Sequence, residues 1–89
     1  MGRFYFHIKE GGRIIRDHEG TELPDMAVAR EQAVECAREL WAEAIKSGQD
    51  MRADAFVIAD EEAKQVMVVP LLEALPQRLR RPIVRRRDK

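Results

Sequence analysis

One segment dominates what this chain can fold into. Between Leu23-Pro24-Asp25 and Gly48 runs a long stretch with neither proline nor glycine. Proline disfavours helix in the residue before it, and an aspartate such as Asp25 accepts hydrogen bonds from the free amides of a first helical turn. A helix is therefore predicted over residues 26–47, with Gly48 as its left-handed stop. At about 100° per residue, Met26, Ala29, Ala33, Ala37, Leu40, Trp41 and Ala44 share one face, with Val34, Cys36 and Ile45 at its margins. The apolar arc covers about half the circumference, as a helix laid on a sheet requires. Alanine fills its middle, so the helix backbone can approach whatever it covers. Arg30 falls inside the arc and is expected to lay its stem on apolar surface with its head in water.

The flanking segments carry the other periodicity. In Arg3-Phe4-Tyr5-Phe6-His7-Ile8-Lys9 the apolar Phe4, Phe6 and Ile8 alternate with polar neighbours, which is the pattern of a strand buried on one side. Gly11-Gly12 supplies a hairpin turn, and Arg13-Ile14-Ile15-Arg16-Asp17 the short return strand. Residues 17–22 read as a loop or irregular strand end. After the helix, Ala55-Phe56-Val57-Ile58-Ala59-Asp60 and Gln65-Val66-Met67-Val68-Val69-Pro70 form a second hairpin about Glu61-Glu62-Ala63-Lys64. Leu71 to Leu75 is one helical turn or a hydrophobic lid. The predicted fold is α+β: a ββαββ order giving a four-stranded, mainly antiparallel sheet with one long helix across one face. Its expected core is Phe4, Phe6, Ile8, Ala33, Ala37, Leu40, Phe56, Ile58, Val66 and Val68.

Length and composition narrow the class. The 89 residues suffice for one small domain, and 45% hydrophobic with 36% charged residues is too apolar for a wholly disordered chain. The longest apolar run, residues 66–72, is far short of the ~20 residues of a membrane span. Behind Arg3 there is no long apolar stretch, so no secretory leader is expected. The single Cys36 forms no internal disulfide, and a cytoplasmic location is expected.

The formal net charge of zero conceals an asymmetry. Residues 77–89 hold seven bases against one acid, a net +6, and residues 1–76 the balancing −6. The expected organisation is one domain over 1–76 followed by a flexible basic tail over 77–89, because Leu79, Ile83 and Val84 bury too little to order it. Arg78, Arg80, Arg81, Arg85, Arg86 and Arg87 are the candidate contacts to phosphates or to an acidic protein surface. The tail has no aromatic residue to stack on bases, so any nucleic-acid contact there would be nonspecific and steeply salt-dependent. Glu31, Glu35, Glu39 and Glu43 form an i, i+4 row on the helix, a candidate acceptor for those arginines.

The opening Arg-Phe-Tyr-Phe-His resembles a family of short bacterial proteins, common in rhizobia and their relatives, known as a domain of unknown function. So do Gly12-Arg13-Ile14-Ile15-Arg16-Asp17, Glu19-Gly20-Thr21-Glu22-Leu23-Pro24-Asp25, Ala29-Arg30-Glu31-Gln32-Ala33 and Phe56-Val57-Ile58-Ala59-Asp60. The resemblance spans roughly residues 3–75 and implies bacterial origin and a compact α+β domain; it points to no particular activity, none being assigned to the family. A looser topological likeness is to HicB-type antitoxins, where a hairpin also leads through a Leu-Pro turn into an alanine-rich helix.

Catalytic patterns are not legible. Asp17-His18-Glu19 are consecutive, and neighbours in an extended chain point to opposite sides rather than converging. His7 beside Tyr5 reads as an exposed sheet face, and Cys36 as a small core residue. No phosphate loop, dinucleotide fingerprint, zinc spacing or nucleophile elbow occurs. No cofactor is expected. The function expected is a small non-enzymatic interaction module, a homodimer joined through a sheet edge or the surface around Trp41, Ile45, Leu71 and Leu72. The alternative is a nucleic-acid-associated regulator, an antitoxin-like domain with an arginine-rich arm.

Overall fold

A computed structural model describes residues 2–80. The chain runs β1 (Gly2–Glu10), β2 (Arg13–Ile15), β3 (Thr21–Leu23), α1 (Met26–Ser47), β4 (Ala55–Ala59), β5 (Gln65–Pro70), a 3₁₀ turn (Leu71–Ala74) and the one-turn α2 (Gln77–Arg80). All strand pairings are antiparallel, in the order β2-β1-β4-β5, with β3 also on β1. The α+β class is as read from the sequence. The sheet, however, has five strands and not four.

The extra strand comes from splitting the return after Gly11-Gly12. β2 pairs with the end of β1 (Ile8 with Ile15, Glu10 with Arg13), and β3 with its start (Gly2 with Leu23, Phe4 with Thr21). Between the two ladders the chain leaves the sheet over residues 16–20, so the return strand expected to reach Asp17 stops at Ile15. A three-residue strand with a central glutamate shows no alternation that a sequence reading can detect.

The helix ends are as expected. Asp25 Oδ1 accepts from Val28 N at 2.9 Å, and Gly48, at φ +73°, returns its amide to the carbonyls of Ala44 and Ile45. Ala29, Ala33 and Ala37 are wholly buried against the sheet. Phe56, Ile58, Val69 and Leu71 complete the core, with Phe4, Phe6, Ile8, Leu40 and Val66 packed around it. Phe6 meets Phe56 edge to face, with centroids 6.4 Å apart.

Val68 does not belong to this core. It is 45% exposed while Val69 is 1% exposed. The ladder pairs Phe56 with Val69 and Ile58 with Met67, then shifts so that Ala59 pairs with Gln65. Val66 is the extra residue of a bulge, which breaks the period-two parity between Val66 and the rest of β5. Val66 and Val69 therefore both contact the core, and Val68 faces the open side with its partner Val57. Met26, expected on the buried face, is also 43% exposed.

Candidate functional site

Three surfaces carry the groups singled out by the sequence. The first is the solvent side of α1. Glu31, Glu35, Glu39 and Glu43 are all exposed, and among the described residues none of them forms an ion pair. Glu31 and Glu35 border a shallow groove of about 370 Å³ with Arg30, Val34 and Arg38. Arg30 reaches Glu73 on the 3₁₀ turn in an exposed ion pair, its head in water as expected. Arg78 lies exposed on α2, and Arg80 ends that helix. Arg81, Arg85, Arg86 and Arg87 fall outside the described residues. Cys36, beside this ridge, has its thiol pushed up by burial and then by Glu39 and Glu35, which keeps it protonated and a poor nucleophile.

The second surface is the end of α1. Trp41 donates its indole N–H to Leu71 O at 2.8 Å, fixing the 3₁₀ turn to the helix. Beside that bond Trp41, Met51, Ala53 and Leu71 line a cleft of about 410 Å³ that Asp54 and Leu72 complete. Leu72 is 49% exposed, and Ile45, one helical turn beyond Trp41, is 71% exposed.

The third surface is the open face of the sheet, and its organiser is Asp17. Phe6 N, left without a strand partner between β2 and β3, donates to Asp17 Oδ2 at 3.0 Å. Glu19 N and Gly20 N donate to Oδ1, and Asp17's own amide donates to His7 Nδ1 at 3.0 Å. Burial alone would raise the Asp17 pKa. The amides of Phe6, Gly20 and Glu19, with His7 nearby, outweigh it and hold the carboxyl below the usual range. His7 is held neutral, its pKa lowered by burial and then by Arg16, against the pull of Asp17. Because Nδ1 accepts from an amide, the neutral ring carries its proton on Nε2.

Gly20 closes the loop at φ +72°. A Cβ there would stand 2.8 Å from the Tyr5 ring and 2.9 Å from the Arg3 stem. The loop thus wraps onto Tyr5, whose ring lies within 15° of parallel to that of His7. Tyr5, His7, Arg16 and His18 form one side of a cleft of about 220 Å³ that the β4–β5 hairpin closes with Asp60 and Glu61. Of the three consecutive residues read as unable to converge, Asp17 and His18 do meet His7 here, and Glu19 does not line the cleft. The excursion between β2 and β3 brings them together, and nothing in the residue pattern announced it.

The family described as Domain of unknown function (DUF6894) matches residues 3–73, most of the chain. The chain belongs to DUF6894. The match takes in all five strands and α1, and so both clefts and the glutamate ridge, and stops short of α2 and the basic segment. No curated protein and no solved structure matches the chain. Among the described residues no helix is long and apolar enough to cross a membrane, and no group of three or more His, Cys, Asp or Glu side chains is placed to hold a metal ion.

Proposed function

We propose that this DUF6894 chain is a non-enzymatic interaction module that self-associates through the surface around Trp41, Ile45 and Leu72. The observation that carries this is the apolar cleft at the end of α1, open to solvent with Ile45 71% and Leu72 49% exposed beside it. Sheet edges support it less well. β2 and β3 have three residues each. On β5, Leu71 N donates to Asp54 O, so the ladder bonds flank the Ala55–Pro70 pair and the Pro70 nitrogen faces the free edge. A proline there offers no donor to a second strand, and short edges and edge prolines are how sheets avoid edge pairing. The titratable groups of the open face favour a binding role over catalysis: Asp17 and His7 Nδ1 are committed to backbone amides, as is Asp60 Oδ1, which accepts from Glu62 N and Lys64 N.

Charge complementarity names the second contact. The +6 segment 77–89 of one copy and the glutamate ridge of another attract, and several weak exposed pairs acting together add to what the apolar contact supplies. Light scattering on the full chain tests this. A dimer at micromolar concentration is expected, weakened by Ile45→Asp with Leu72→Asp, and weakened at low salt by deleting residues 77–89. A monomer at high micromolar concentration overturns the reading. The second reading, nucleic-acid association through the same arginines, is favoured by their charge alone. Its mark is a nucleic-acid absorbance at 260 nm in freshly purified protein that high salt or the deletion removes.

A further inference from the structure

Two features find no match within one chain, and they fit each other. The first is α2. It follows Pro76, and the sheet, α1 and the 3₁₀ turn pack together without it. Its single apolar side chain, Leu79, is 59% exposed and does not line the cleft beside Trp41 on its own chain. Arg78, next to it, is exposed and among the described residues makes no hydrogen bond or ion pair. The second is that cleft. Trp41, Met51 and Ala53 are half-buried against the core, Leu71 is buried, and Leu72 is exposed. The Trp41 indole N–H is taken by Leu71 O, so what these walls offer is apolar. The one charged group lining the cleft is Asp54. Its Oδ2 accepts from Gly11 N, and its Oδ1 has no partner among the described residues.

We infer that Leu79 of one copy seats in the Trp41 cleft of a second copy, with Arg78 reaching Asp54, and that the exchange is reciprocal. This rests on the self-association proposed above and names what each copy puts into the other. A branched aliphatic side chain carried on a helical turn into an apolar groove is a recurrent mode of docking, and one such anchor outweighs the contacts around it. Charge favours this occupant. α2 opens the +6 segment, and the body that holds the cleft is −6. Cleft packed on cleft would bring Asp54 of both copies to one interface with no cation lining it, whereas an inserted α2 gives each Asp54 an arginine. Two-fold symmetry makes the contact twice and closes the assembly at two chains. Two modest contacts made together hold where one would not.

The test is light scattering over a micromolar concentration series on the full chain and on Leu79→Asp, Leu72→Asp and Arg78→Gln. All three positions are exposed, and circular dichroism checks that the fold is kept. Leu79→Asp and Leu72→Asp should each weaken the dimer about tenfold or more, and Arg78→Gln less, with its effect largest at low salt. An equimolar mixture of Leu79→Asp and Leu72→Asp chains should dimerise about tenfold more tightly than either alone, because it restores one intact Leu79 facing one intact cleft. A native dimer that Leu72→Asp weakens and Leu79→Asp does not would overturn this inference alone and leave the self-association standing, cleft on cleft. A mixture no tighter than its parents overturns the exchange. So does a monomeric native chain whose Trp41 emission shifts in Leu79→Asp, since the leucine then lies in its own cleft. A native monomer at high micromolar concentration with Trp41 emission unchanged in that variant overturns both readings.

Discussion

Val68 and Val69 are adjacent, chemically identical and on the same strand, yet only one lies in the core. Truncating each to alanine therefore measures the register of β5 on β4 directly. Val69→Ala removes two methyl-sized groups from a site 1% exposed, packed with Ala29, Phe56 and Leu71. At about 0.8 kcal/mol per buried carbon, plus a cavity contribution of similar size, the loss is about 2–3 kcal/mol. Val68 is 45% exposed, so the same deletion there removes roughly half the transfer energy and leaves no closed cavity, about 0.5–1 kcal/mol. The shared loss of β-branching weighs on both variants and cancels in the comparison. For a domain of this size the difference corresponds to about 5–15 °C in melting temperature. Urea unfolding followed by the fluorescence of the single Trp41, with far-ultraviolet circular dichroism as a second probe, reads both variants. Equal losses, or a larger loss at Val68, would place the core register one residue away and refute the pairing of Phe56 with Val69.

Other perturbations separate strain from packing. Gly20→Ala should cost about 2–3 kcal/mol, because a left-handed backbone and a Tyr5 contact at 2.8 Å both oppose a Cβ. Gly11→Ala, left-handed at φ +62° but in open space, should cost only about 1 kcal/mol by the same unfolding assay. Ala63, at φ +63° in the β4–β5 turn, is the one non-glycine residue in that region among those described, so Ala63→Gly should stabilise by about 0.5–1 kcal/mol. His7 has a folded pKa below its unfolded value, so its contribution is complete above about pH 6.5 and is lost as pH falls through the folded value. Asp17, also lowered, adds a second loss further into acid, below about pH 4. Urea titrations from pH 7.5 downward should show the first loss in the native chain and a flatter profile in His7→Gln.

What was legible in the sequence follows the length of the repeating signal. α1 repeats its pattern over several turns between an aspartate cap and a glycine stop, and both ends fall where the residues place them. β1 alternates over a whole strand, and Phe4, Phe6 and Ile8 pack on the core as that alternation requires. The misses share a cause. β3 is three residues long, and the bulge in β5 is a single unpaired residue, so each is decided by a partner strand and not by its own pattern. The open-face cleft is the extreme case. Asp17, His18 and His7 become neighbours because Phe6, with no strand opposite its amide, draws the Asp17 carboxylate inward, and because Gly20 lets the loop close on Tyr5. Each step depends on a residue some ten or more positions away, and period counting carries no such information. The same dependence makes the cleft a product of the irregularity. A return strand that continued unbroken from Ile15 to Thr21 would satisfy Phe6 with a backbone carbonyl and leave Asp17 in solvent, and Arg16 and His18 would no longer be held over Tyr5 and His7.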